Sequence, residues 1–121
     1  MENIHTIINI LGQILFGGYF VWNGIKHFKD HSSYTMYATA MGVPMPSIAI
    51  YFTGLLLFFG GLGVLFNVFK LVSLILLVVF LVPVTFKMHA FWKISDAQQK
   101  SSEMISFLKN LALLGAVLLM M

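Results

Sequence analysis

Cysteine and arginine are both absent from the 121-residue chain, and charged residues are scarce, at 9% against 60% apolar. Each absence removes a class of chemistry. Without thiols there is no dithiol redox pair, no thiolate-held iron–sulfur cluster and no haem attached through cysteine. Without arginine there is no bidentate clamp for carboxylates, because all seven basic residues are lysine. No haem, iron–sulfur or nicotinamide site is therefore expected. Asp, Glu and Lys are missing altogether from residues 3–25, 31–69, 71–86 and 110–121. A soluble helical bundle needs a polar face on each helix, and residues 48–66 and 71–86 offer none. A membrane-spanning helix, by contrast, needs about 20 mostly apolar residues.

What is present follows that pattern. Four apolar segments, at about residues 4–25, 47–66, 68–90 and 102–121, predict an all-α integral membrane four-helix bundle in a single domain, with both termini on the same side. Residues 26–46 form a loop in which Tyr34, Tyr37 and Met41 keep one side apolar. That loop reads as a short helix lying in the interface or folded over the bundle. Pro83 predicts a kink in the third span, since it lacks an N–H and its ring crowds the preceding turn. In the first span Asn9, Gln13, Phe16, Phe20, Asn23 and His27 recur at helical spacing. The polar members are expected to turn inward and hydrogen-bond between helices.

Lysines orient the bundle. Lys26, Lys29, Lys87, Lys93 and Lys100 fall on the face that holds the first and third loops, and Lys70 alone on the other. The positive-inside rule makes the lysine-rich face cytoplasmic and puts the termini outside, in a bacterial inner membrane. The net charge of +3 thus speaks for membrane orientation and not for nucleic acid. The opening MENIHT lacks a positive n-region, so no cleaved signal peptide is expected. Glycines at 12, 17, 18, 54, 60, 61 and 63 exceed what four helices need for their own packing and favour a homo-oligomer, most simply a dimer.

Topology brings Lys26, His27 and His31 to the same membrane face as His89, Trp92, Lys93, Glu103 and Asn110. His89 with Trp92 has the chemistry to hold a ring-bearing ligand such as a quinone, by hydrogen bonding and stacking. The bland alternative is that these residues are ordinary interfacial anchors. His27 and His31 stand four apart, and with His89 they outline a conceivable three-histidine site, but no metal-ligand spacing recurs elsewhere. Lys109 is expected to lie less than two turns into the fourth span and to reach the interface. On that reading no charge sits at mid-membrane depth, which argues against a proton pump or an ion-coupled transporter.

Two stretches carry a resemblance to a known family. His89-Ala-Phe-Trp92 ends the third span, and Phe107-Leu-Lys-Asn-Leu-Ala-Leu-Leu-Gly115 opens the fourth. Gly24-Ile-Lys-His-Phe28, Gly54 and Gly60 support them. In these the chain resembles the DoxX family of small four-span membrane proteins. The resemblance implies a four-helix membrane domain, membrane lipids as neighbours, and in some members partnership with a membrane-attached subunit of a quinone-linked oxidoreductase. Other distantly similar proteins serve as receptors or chaperones for membrane cargo. The alternative readings are a small bundle that binds or carries a lipid or apolar metabolite, and a scaffold for another membrane protein. The positions matched are Lys26, His89, Phe91, Trp92, Phe107, Lys109, Asn110 and Gly115, and His27, His89, Trp92, Lys109 and Asn110 are the expected ligand contacts. Two departures stand out. Many members have an acid early in the second span, where this chain has Thr53, and an arginine in the first, where it has Asn9 or Gln13.

Overall fold

Each long apolar run becomes a helix, because in lipid a backbone must satisfy its own hydrogen bonds. The computed structural model describes residues 2–121, and among these it contains α1 (Glu2–Lys29), α2 (His31–Ala40), α3 (Pro46–Phe66), α4 (Lys70–Met88) and α5 (Ala97–Met120). Four of these are long and apolar enough to cross a membrane. The fold is all-α, an integral membrane bundle of four spans with both termini on the same side.

Local chemistry sets the boundaries. Gly42 at φ +79° closes α2, where the N–H of Val43 returns to Ala38 and that of Gly42 to Thr39. Asn67 does the same for α3, at φ +55°, with the N–H of Val68 on Gly63 and its own on Val64. Both are left-handed helix ends that satisfy otherwise orphaned carbonyls. At α5 the start is Ala97 and not Ser102: the Asp96 carboxylate accepts from the Gln99 N–H at 2.8 Å and caps the helix. That cap moves Lys109 to the thirteenth position of a 24-residue helix, at its middle. The expectation that Lys109 reaches the interface from the first two turns is thereby corrected.

Glycine sets how close α1 and α3 come. A Cβ at Gly17 would lie 2.7 Å from the Leu65 nitrogen and 2.9 Å from the Gly61 carbonyl oxygen. One at Gly24 would lie 2.7 Å from the Phe58 nitrogen and 2.9 Å from the Gly54 carbonyl oxygen. Gly17 faces Gly61 and Gly24 faces Gly54, one heptad apart on each helix, so the antiparallel pair runs backbone against backbone. Gly60 and Gly63 admit Leu77 and Ser73 of α4 in the same way. These glycines are used inside the chain. The surplus that favoured a dimer shrinks to Gly12, Gly18 and Gly115, where a Cβ would meet nothing within 4 Å.

Continuing the α1–α3 register places Gly12 opposite Phe66, the last residue of α3. The first third of α1 therefore runs beyond the end of its partner. Asn9 is exposed there, and neither Asn9 nor Gln13 makes a side-chain hydrogen bond among the described residues. The expected interhelical bonding by these two is not present: Asn9 lies beyond the end of α3, and Gln13 stands opposite its last apolar residues, which offer no polar side chain. Elsewhere Phe20, Leu57, Val64, Leu74, Leu77, Leu81 and Val117 form the core. α1 packs along α3, α3 along α4 and α4 along α5, whereas α1 and α5 do not approach closely along their backbones.

Candidate ligand cavity

A half-open cavity of about 410 Å³ is walled by residues of all five helices. Phe20, Ile50, Leu56, Leu57, Phe80 and Leu113 make most of it apolar. Polar groups are few and grouped. Asn23 and His27 come from α1, Thr53 from α3, Lys109 and Asn110 from α5, while Tyr37, Lys87 and His89 stand toward the lysine-rich face.

Hydrogen bonding fixes what several of these can still offer. His27 Nδ1 lies 2.7 Å from the Asn23 carbonyl oxygen. A carbonyl only accepts, so Nδ1 carries the proton and Nε2 of a neutral ring keeps a lone pair. The ring is sandwiched near Tyr34, at 4.6 Å between centroids, and edge-on to Phe80. The Asn23 side-chain N–H donates to the Tyr19 carbonyl at 2.7 Å, which leaves its oxygen as an acceptor. Thr53 donates back to the Ala49 carbonyl at 2.8 Å, so its hydroxyl proton is already engaged. Asn110 is only 6% exposed, and its amide makes no hydrogen bond among the described residues. The Lys109 ammonium sits 5.8 Å from the centre of the Tyr19 ring, reaching across the gap between α5 and α1.

At the lysine-rich end a polar knot holds α2 over the cavity. Glu103 receives the Tyr37 hydroxyl at 2.5 Å on one oxygen and faces His89 Nδ1 at 2.8 Å with the other. Tyr37 also lies 3.2 Å from the Met88 carbonyl; its single proton goes to the shorter contact. Burial, then the hydrogen bond to Glu103 and its negative charge, push the Tyr37 phenol well above its usual range. Burial likewise raises Tyr34, helped by Asp30 and Tyr19. With His89 Nδ1–H on the carboxylate, Nε2 of the neutral ring is left for the cavity that His89 lines.

Of the five residues expected to contact a ligand, His27, His89, Lys109 and Asn110 line the cavity. Trp92 does not. It follows α4 in the short 3₁₀ turn Phe91–Lys93, is 49% exposed, and packs edge-on against Phe91 and Phe107 outside the cavity. Phe86 joins the same cluster through Phe107, so the aromatic landmarks seal the α4–α5 turn. His31 is drawn elsewhere too: its ring stacks on Tyr51 at 3.8 Å and meets the Ser47 carbonyl at 3.0 Å. The three histidines do not converge, and among the described residues no three His, Asp or Glu side chains are grouped to hold a metal ion. Tyr37, Glu103, Lys87 and Asn23 are the wall and tether residues that sequence reasoning did not name as ligand contacts. The sequence hints at three of them: Tyr37 in the apolar stripe of the first loop, Asn23 on the inward face of the first span, and Glu103 on the same membrane face as His89.

No curated protein and no solved structure matches the chain. Residues 9–90 match the DoxX family model. The matched region begins in α1, takes in α2, α3 and α4, and ends before α5, so it contains His27 and His89 but not Lys109 or Asn110. With that match and its four membrane-crossing helices, the chain belongs to the DoxX family of membrane proteins.

Proposed function

We propose that this protein is a membrane-embedded binding subunit for a ring-bearing apolar ligand of the quinone class, serving a membrane oxidoreductase assembly. The observation that carries the reading is the cavity itself: about 410 Å³ of mostly apolar space inside the spans, with unsatisfied polar groups on one wall. Ligand sites are concave, mostly apolar and supplied with a few placed polar groups. Lys109 and Asn110 offer donors to a quinone carbonyl, and the His27 Nε2 lone pair and the Asn23 oxygen offer acceptors to a quinol hydroxyl. The ring would lie among Phe20, Tyr34 and Phe80. Electrons would come from a partner subunit, since the chain has no cysteine to hold a cluster. Protons would come from the lysine-rich face, which we place in the cytoplasm by the excess of lysine there.

Binding of a short-chain quinone to the protein in nanodiscs, followed by quenching of tyrosine and tryptophan fluorescence, tests this. Saturable binding is expected, weakened about tenfold in Asn110→Leu and in His27→Phe, which is what a lost buried hydrogen bond of about 1–2 kcal/mol gives. Absence of saturable binding, or unchanged affinity in both variants, would reject the reading. A reporter fused after Met121 should be active only outside the cytoplasm; cytoplasmic activity would invert the orientation.

A further inference from the structure

The cavity wall carries two ammonium groups and no carboxylate. Lys87 and Lys109 both line it, and neither makes an ion pair among the described residues, where Glu103 is paired with the His89 ring. The acids that might serve are committed elsewhere. Glu103 is engaged by His89 and Tyr37 and does not line the cavity. Asp96 caps α5, and Asp30 is exposed in the turn between α1 and α2. Lys109 is the sharper case because it lies within a helix long and apolar enough to cross a membrane and reaches from α5 toward Tyr19 of α1. An ionised side chain within a span is costly unless it is paired. The face of Tyr19 at 5.8 Å is a weaker partner for it than a carboxylate would be. The neighbouring Asn110 amide adds a neutral donor but no negative charge.

From this we infer that the cavity selects acidic amphiphiles: ligands with an apolar body and one ionised group, a ring hydroxylate or a carboxylate, held against Lys109. The ligand brings the counter-ion that the protein omits. In the mostly apolar lining of the cavity such a pairing is stronger than between groups in bulk water. Among quinones it favours those with an acidic ring hydroxyl over those whose ring substituents are all neutral. Lys87, nearer the lysine-rich face, gives such an anion a first cationic contact on its way from that side. The inference rests on the cavity being a ligand site, and it names the chemical class that the site takes.

The test compares two probes that differ in one methyl group: a 2-hydroxy-3-alkyl-1,4-naphthoquinone, ionised at neutral pH, and its O-methyl ether, which is not. Affinities are measured in nanodiscs of zwitterionic lipid for the unmutated protein and for Lys109→Gln, Lys109→Arg and Lys100→Gln. The hydroxyquinone should bind about tenfold or more tightly than the ether. The ratio should fall to near one in Lys109→Gln and survive in Lys109→Arg, which keeps the charge. It should also survive in Lys100→Gln, an exposed position away from the cavity. Equal affinity of the two probes for the unmutated protein would overturn the inference and leave the cavity standing. A preference that persists in Lys109→Gln would overturn it as well. Binding of neither probe would remove the cavity reading itself, and this inference with it.

Discussion

Glu103 shows how one acid can be spent on architecture. Its two oxygens take the Tyr37 hydroxyl and the His89 ring, so it ties α2 to the α4–α5 turn instead of neutralising the cavity. One turn of α4 before His89, Thr85 is 1% exposed, and its hydroxyl has no partner. A buried hydroxyl without a hydrogen bond carries its desolvation cost uncompensated. Thr85→Val keeps the shape and removes the hydroxyl, so it should stabilise the protein by about 1 kcal/mol. Equilibrium unfolding in mixed micelles checks this; a clear loss of stability would mean that the hydroxyl has a partner in the membrane.

The helices α1 and α3 depend on their paired glycines. A methyl group at Gly24 would sit 2.7 Å from the Phe58 backbone nitrogen, and backbone cannot rotate away as a side chain can. Gly24→Ala should therefore cost about 1–3 kcal/mol or more. Gly12→Ala, with open space around it, should be neutral or gain up to about 1 kcal/mol from helix propensity. Equal effects of the two in the same unfolding assay would contradict the close packing. For α2, the tether is the Tyr37 phenol. Its proton-binding is strengthened in the folded state, so its contribution is complete below the ordinary tyrosine value near about pH 10 and declines as pH rises beyond it. Tyr37→Phe should lower stability by about 1.5–3 kcal/mol at pH 8, as loss of a hydrogen bond to a charged group does. The gap between variant and unmutated protein should narrow at pH 11. A gap that is constant between these pH values would deny the tether.

At the scale of the whole molecule, the half-open cavity walled by all five helices is the consequential feature. The four spans were legible because lipid demands uninterrupted apolar runs, and nothing tertiary competes with that signal. The cavity was only partly legible. His27, His89, Lys109 and Asn110 stood out as polar groups at span ends, yet their depth depends on where α5 begins. The Asp96-x-x-Gln99 cap carries that information locally, and it lengthens α5 by a turn and more ahead of Lys109. The Tyr37–Glu103 contact spans 66 residues and has no local signature. The glycines show the converse error: spacing of seven on each of two helices describes an internal ladder as well as an external face, and only the antiparallel register decides between them.

The central claim, that a ring-bearing apolar ligand occupies this cavity, is tested most directly by photolabelling the protein in nanodiscs with an azidoquinone and mapping the adducts by mass spectrometry. The account predicts adducts on cavity residues of α1, α4 and α5, in the segments around Asn23, Val84 and Asn110, suppressed by excess unlabelled quinone. Adducts scattered over lipid-facing positions such as Leu15 and Ile105, unaffected by competitor, would contradict it.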